Sequence, residues 1–228
     1  MKKLERDGLL FLLAAVSGSA DAWSYFGLGH AFVANMTGNT VLLGVSVFHL
    51  HSDFLHPLIA LACYLLGAVA GTLLSRRVEP GALWSRVISW TLFIEAMFLI
   101  GSEIAWVSMS EQPGSRAQAV LLACLAAAIG MQSAAMVQLR VPGIVTTYIT
   151  GTWTTLTNGL TLLAARQPNI LREEKRYEER FALQGAVLAA YLLSAVLTGW
   201  AFRHESSLVG AIPACLALLV AAWGALRS

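Results

Sequence analysis

Eight stretches of the chain are apolar on every face, over residues 8–26, 30–49, 57–75, 83–107, 117–139, 143–165, 181–202 and 207–226. No helical alternation divides them into a polar and an apolar side, as it would in helices resting on a soluble core. Each is close to the roughly 20 residues that a helix needs to cross a bilayer. Helices satisfy their own backbone groups in lipid, so runs this long and uniform predict helices. The expected fold is an all-α polytopic membrane protein, one membrane domain over residues 1–228.

Two of the runs are interrupted by polar residues. FVANMTGNTVLLG, residues 32–44, places Asn35, Thr37, Gly38, Asn39 and Thr40 in apolar surroundings. Polar side chains there need a partner, a cavity or a task. VTTYITGTWTTLT, residues 145–157, places Thr146, Thr147, Thr150, Thr152 and Thr154 around Gly151. Thr37-Gly38 falls on Thr150-Gly151 at an offset of 113 (150 − 37). At the same offset GLLFLLAAVSGSADAW, residues 8–23, lies on LLACLAAAIGMQSAAM, residues 121–136. Leu9, Leu12, Ala14, Ala15 and Ala22 then meet Leu122, Leu125, Ala127, Ala128 and Ala135. The later segments keep order. Two four-segment repeats are expected, 8–107 and 117–226, with a longer linker, 166–180, inserted in the second.

A duplication with Gly-interrupted segments at matching positions points to a transporter site at the repeat interface. Gly weakens a helix by roughly 1 kcal/mol relative to Ala. Asn and Thr side chains compete for backbone hydrogen bonds. Helices unwound at Thr37-Gly38 and Thr150-Gly151, with backbone groups facing a ligand, are the expectation. The alternative is close helix packing through small and hydroxylated residues.

Composition narrows the function classes. The chain is 57% hydrophobic and 12% charged, against roughly 25% charged in soluble domains. No stretch remains for a soluble catalytic domain. No basic stripe interleaved with aromatics suggests nucleic acid. There is no Walker motif, no H-E-x-x-H and no G-x-S-x-G, so neither an enzyme nor a cofactor is expected. Cys63, Cys124 and Cys215 lie in apolar runs, which predicts buried free thiols rather than disulfides or metal ligands. His49, His51 and His56, with Asp53, read as an interfacial loop, and no metal is expected. Lys2, Lys3 and Arg6 ahead of Ser17-Gly18-Ser19-Ala20 resemble a secretory signal, but the same pattern recurs mid-chain and argues against cleavage.

Charge asymmetry selects a topology. If all eight segments cross, ten basic residues lie on one side and five on the other. If segments 2 and 6 are broken or re-entrant, only Arg116 and Arg203 of the 15 basic residues lie outside. That version leaves about six full crossings, three per half, with the halves inverted. Both versions place the N-terminus, the linker and the C-terminus in the cytoplasm. The linker, RQPNILREEKRYEER, reads as a solvated connector. Gly67 and Gly71 form a G-x-x-x-G suited to helix packing within or between subunits. Trp23, Trp84, Trp90, Trp106 and Trp200 sit near segment ends, as an interfacial belt would.

Charges within apolar spans cost on the order of 2.5–3.5 kcal/mol at a helix centre and are functional candidates by default. Asp21 stands just before the first polar patch, and its counterpart at offset 113 is Ala134, beside Gln132. It is expected to carry a proton or hold a cationic group. The alternative is a carboxylate hydrogen-bonded to the Asn/Thr cluster. Glu95, central in WTLFIEAMFLIG, is a second candidate for proton coupling. Glu103, nearer a segment end, is expected to reach water.

SADAWSYFGLGHAFVANMTGNTVLLG and GMQSAAMVQLRVPGIVTTYITGTWTTLTNGL together resemble the YoaK family of bacterial inner-membrane proteins. The markers are the Asp21 region, Met36-Thr37-Gly38-Asn39-Thr40, Gly130-Met131-Gln132, Thr146-Thr147-Tyr148 and Thr150-Gly151-Thr152. The resemblance runs the length of the chain. It implies a small inner-membrane protein of about six crossings and, for a domain of unknown function, no particular activity. The chain departs from the family pattern at Ser133-Ala134, where relatives carry Asn-Ala.

The function expected from these features is a secondary transporter for a small polar solute, with proton coupling through Asp21 or Glu95. Asp21, Asn35, Thr37, Gly38, Asn39, Gln132, Thr147, Tyr148, Thr150, Gly151 and Thr152 are its candidate solute-binding residues. The alternative is a non-transporting scaffold in which the polar patches glue helices together. The expected partners are the lipid bilayer and the solute. A homodimer suits a chain this small for enclosing a path.

Overall fold

The computed structural model describes residues 1–48, 54–79, 82–109, 114–139, 141, 149–165, 174–204, 207 and 209–227, with only the backbone of 174–176. Eight helices account for nearly all of them. They are α1 (Lys3–Gly27), α2 (Met36–Ser46), α3 (Leu55–Ser75), α4 (Arg86–Ser108), α5 (Ser115–Gln138), α6 (Ile149–Ala164), α7 (Glu174–His204) and α8 (Ala211–Arg227). Among the described residues there is no strand. The start signals are local. The Lys2 amide donates to the Glu5 carboxylate at 2.8 Å ahead of α1. The Ser85 hydroxyl accepts from the Val87 amide at 3.3 Å and opens α4; such caps satisfy first-turn amides.

Five helices are long and apolar enough to cross a membrane: α1, α3, α4, α5, and α7 from Tyr177. The α8 helix is apolar but has 17 residues. The two polar-patched runs form the shortest helices, with 11 residues in α2 and 16 in α6. At 1.5 Å per residue these extend about 16 and 24 Å, short of a hydrocarbon layer of about 30 Å. Outward faces are apolar, with Leu65, Leu66, Val69 and Leu73 of α3 and Leu192, Leu193, Val196 and Leu197 of α7 all exposed. Such surfaces suit lipid rather than water.

The core has two layers, and they give the helix directions. One layer joins Leu9, Leu10 and Leu13 of α1, Ile88 and Leu92 of α4, Met136 of α5, Val187 of α7 and Val220 of α8. The other joins Trp23 of α1, Ala60 of α3, Leu99 and Trp106 of α4, Leu121 and Leu122 of α5, Ala201 of α7 and Ala214 of α8. Helices α1, α4 and α7 therefore run from the first layer to the second. Helices α3, α5 and α8 run back, with Val78 beyond the end of α3 resting on the first layer. The first-layer end also carries the Lys3–Glu179 ion pair at 2.6 Å and the Arg227–Glu5 pair at 3.7 Å.

Helix pairs close through small residues. A Cβ on Gly67 would overlap the Ala127 carbonyl of α5, and one on Gly71 would lie 2.7 Å from the Met131 carbonyl oxygen. The G-x-x-x-G motif thus packs α3 on α5 within one chain. Across α1 and α7, the Ser19 and Thr198 hydroxyls meet at 2.6 Å. The short helices lie at the edge, α2 on α3 and α6 on α7.

Several expectations change. Trp23 and Trp106 do not lie on the outer surface; both are buried within the bundle and meet edge to face at 6.2 Å. Trp84 is buried too, donating to the Ser89 hydroxyl at 2.9 Å, while Trp90 and Trp200 are exposed. Glu103 accepts the Gly210 amide at 3.0 Å and holds the turn into α8. Cys63, Cys124 and Cys215 are free thiols, the first two half-buried and Cys215 exposed. His49, His51 and Asp53 lie outside the described residues, as does most of the linker.

Candidate functional site

The chain reverses after α1 through Gly29 and His30, both at positive φ (+90° and +58°). A Cβ on Gly29 would press into the His56 ring, at 2.6–2.8 Å, so this turn needs glycine for both space and φ. The chain then returns alongside α1 as an irregular segment, and Asp21 pins it there. Asp21 Oδ1 accepts the amides of Val33 at 2.8 Å, Ala34 at 2.6 Å and Asn35 at 3.4 Å. Its other oxygen accepts the Tyr191 hydroxyl of α7 in a short hydrogen bond. A carboxylate gathering successive amides and a hydroxyl is well solvated by protein, which makes its burial tolerable.

The first turn of α2 is built by its own polar residues. The Asn35 carboxamide oxygen caps the helix by accepting the Gly38 amide at 3.0 Å. Asn39 is fully buried. It donates to the Phe32 carbonyl at 2.6 Å and accepts the Phe32 amide at 2.9 Å, as a paired backbone would. Thr37 and Gly38 thus lie in the opening turn of a helix, not at an interior break. A Cβ at Gly38 would lie 2.9 Å from Asn35 Nδ2 and 3.0 Å from the Phe32 ring. Helix α6 opens at Ile149, placing Thr150 and Gly151 in its first turn.

Both first turns face one cavity of about 510 Å³. Its walls are Ala34, Asn35, Met36 and Thr37 from the α2 side, Ile149, Thr150 and Trp153 from α6, Tyr64 from α3, Ser133 from α5 and Tyr191 from α7. Tyr64 is near the middle of α3 and Tyr191 near the middle of the apolar span Tyr177–His204. The cavity is therefore at mid-depth in the bundle. Among the described residues no charged side chain is on its wall. Asp21 stands one hydroxyl behind it, through Tyr191.

Of the residues singled out by sequence, Asn35, Thr37 and Thr150 line this cavity. Asp21, Gly38 and Asn39 shape its α2 side from behind. Gln132 does other work, donating to the Leu13 carbonyl at 3.2 Å and the Ser17 hydroxyl at 2.9 Å, which ties α5 to α1. Gly151 and the buried Thr152 are off the wall. Glu95 is fully buried in α4 and is also off the wall. Thr154 and Thr155 turn their hydroxyls back to the carbonyls of Thr150 and Gly151, at 3.1 and 2.9 Å. Thr147 and Tyr148 lie outside the described residues. No group of three His, Cys, Asp or Glu side chains suited to a metal occurs among the described residues.

Tyr64, Tyr191, Ser133 and Trp153 are wall residues that motif reading missed. The tyrosines had a signal. Leu61-Ala62-Cys63-Tyr64-Leu65-Leu66-Gly67-Ala68-Val69 lies on Leu188-Ala189-Ala190-Tyr191-Leu192-Leu193-Ser194-Ala195-Val196 at an offset of 127 (191 − 64). Gly18 leaves room for the Tyr191 carbonyl, and Gly130 leaves room for the Tyr64 carbonyl. The two glycines stand 112 residues apart (130 − 18), as do Asp21 and Ser133 (133 − 21).

The sequence profile described as "Protein of unknown function (DUF1275)" matches residues 9–223. The chain is 27% identical over 197 residues to the UPF0700 transmembrane protein YoaK of Bacillus subtilis (strain 168), covering 86% of this chain and 84% of that one. No solved structure matches it. The matched span takes in both polar patches, the tyrosines and the small-residue contacts described above, and the chain belongs to the DUF1275 family of transmembrane proteins.

Proposed function

We propose that this multi-pass membrane protein is a secondary permease for a small polar solute, and that the mid-depth cavity is its binding site. The observation that carries the reading is the convergence of two short helices, α2 and α6, on one hydroxyl-lined cavity within a lipid-facing bundle. Transporters built from inverted repeats hold solute near the bilayer midplane, where short or interrupted helices present their ends.

In this reading α1, α3, α4, α5, α7 and α8 cross, and α2 and α6 enter and return from opposite faces. The alternating directions of the six helices support it, since a crossing α2 or α6 would break the alternation. The pairings also exchange under the repeat. Packing of α1 on α7 becomes α5 on α3, α2 on α3 becomes α6 on α7, and α4 on α5 becomes α8 on α1. Of the described basic side chains, all but Arg116 and Arg203 then belong to helix ends at the first layer. That end is cytoplasmic by the positive-inside rule, and the membrane is the bacterial inner membrane. Proton coupling falls to Asp21, which touches the cavity through Tyr191, rather than to Glu95.

Uptake of a labelled metabolite panel into cells expressing the chain, compared with Thr150→Trp, tests the reading. The indole would fill the cavity between α2 and α6 and abolish uptake of the transported solute, leaving membrane insertion and melting unchanged. Uptake equal in the two strains across the panel refutes it.

A further inference from the structure

A groove of about 440 Å³ runs between α4 and α8 on the outside of the bundle. Trp90 and Phe93 of α4 and Leu218, Ala222 and Ala225 of α8 form its walls, with Arg86 at one end. The two helices contribute at the same spacing, 86, 90, 93 and 218, 222, 225, so the groove follows their axes for about 10 Å. They run antiparallel and meet closely at Gly224, where a Cβ would lie 2.4 Å from Trp84 Nε1. Arg86 opens α4 and Ala225 stands near the end of α8, so the charged end is at the first-layer surface. Phe93 and Leu218 lie deeper, and both are exposed on the lipid side. Among the described residues Arg86 makes no ion pair and no hydrogen bond. Arg227, at the same end of α8, is instead held by Glu5 at 3.7 Å and lies over the Trp223 ring. The Ser89 hydroxyl on the wall is engaged by the Trp84 indole at 2.9 Å.

We propose that this groove binds an anionic phospholipid, with one acyl chain along its walls and the phosphate on Arg86. An apolar channel parallel to membrane-crossing helices has the direction of an acyl chain. A guanidinium at its surface end matches a phosphate, which it can hold through two parallel hydrogen bonds. Basic pockets between membrane helices recognise anionic head groups in this way. Trp90, one turn deeper than Arg86, stands where an amphipathic ring meets the interface. A zwitterionic lipid would bring its own cation toward Arg86, and no acidic residue lines the groove to receive it. A second copy of the chain is a poorer occupant, because a stable interface takes roughly 20–30 residues a side. The proposal does not depend on the permease reading, and the groove is separate from the mid-depth cavity.

Native mass spectrometry of the full chain in dodecyl maltoside tests it, with phosphatidylglycerol and phosphatidylcholine of the same acyl chains added in equal amounts. The wild type should retain phosphatidylglycerol about fivefold over phosphatidylcholine, the factor that one basic side chain near the surface supplies. Arg86→Gln should bring the two lipids to parity. Arg77→Gln removes an exposed charge from the same end of the bundle, off the groove, and should keep the preference. Ala222→Phe fills the groove and should lower retention of both lipids about fivefold or more. Soluble glycerol phosphate, the head group without chains, should not displace the lipid. The proposal is overturned if the wild type shows no preference, if Arg86→Gln keeps it, or if Arg77→Gln loses it equally. Displacement by glycerol phosphate would make this a free-phosphate site and overturn it too. So would an Ala222→Phe change that splits a dimer and leaves lipid retention as it was, since a second copy would then be the occupant. Should Ala222→Phe not fold, the Arg86→Gln ratio decides alone.

Discussion

Truncating Asp21 to Ala should loosen the segment between α1 and α2, and the cost can be worked from its contacts. Three strong donors lose their acceptor: the Val33 and Ala34 amides, at 2.8 and 2.6 Å, and the Tyr191 hydroxyl. The Asn35 amide, at 3.4 Å, adds little. Hydrogen bonds to charged groups contribute about 1.5–3 kcal/mol in water-soluble proteins. Within bilayers measured values average about 0.6 and reach about 1.7 kcal/mol, because a membrane-embedded unfolded state also finds partners. Three such bonds give about 2–5 kcal/mol, a large share of the roughly 5–15 kcal/mol that holds a domain together. Asp21→Asn keeps an acceptor for the two amides and offers Tyr191 a donor in place of an acceptor, so about 1–2 kcal/mol is expected. Tyr191→Phe removes one bond, about 1 kcal/mol. Reversible unfolding in mixed micelles titrated with sodium dodecyl sulfate gives all three values. A double-mutant cycle of Asp21→Asn with Tyr191→Phe isolates their coupling. An Asp21→Ala protein as stable as the wild type would refute the clamp and the cavity wall it holds.

Gly130→Ala puts a methyl beside the Tyr64 carbonyl and 2.9 Å from the Ala68 amide, and should cost about 1–3 kcal/mol in the same assay. Gly101→Ala meets nothing within 4 Å and should be neutral or stabilising by up to about 1 kcal/mol, which makes it the control. Asn39→Ala leaves the Phe32 amide and carbonyl unpaired, with about 2 kcal/mol lost. Asn39→Asp should be worse, since its carboxylate faces the Phe32 carbonyl where a donor stood; equal stabilities of the two variants would contradict the paired geometry. Asn35→Ala removes the α2 cap at about 1 kcal/mol, read from amide exchange of Gly38.

That this chain forms a bundle of apolar helices is legible in its hydrophobic pattern alone. All-round apolar runs of about 20 residues have few stable alternatives in lipid, and the family resemblance was legible in M-T-G-N-T and its companions. Asn35, Thr37 and Thr150 were legible as site residues because polar groups in apolar runs must be answered. Asn39 and Gln132 drew the same notice but answer to Phe32 and to α1, a difference that composition does not encode. Tyr64 and Tyr191 were written in a repeated Y-L-L-x-A-V, passed over because a tyrosine in an apolar run attracts no suspicion. Which residues meet is settled by how the helices pack. Close approach at Gly18 seats α1 on α7 at Tyr191, where Asp21 takes the tyrosine hydroxyl, and close approach at Gly130 seats α5 on α3 at Tyr64. A one-residue slip turns a helical side chain by about 100°, so the difference between a lipid-facing group and a cavity wall is a matter of packing, not of pattern.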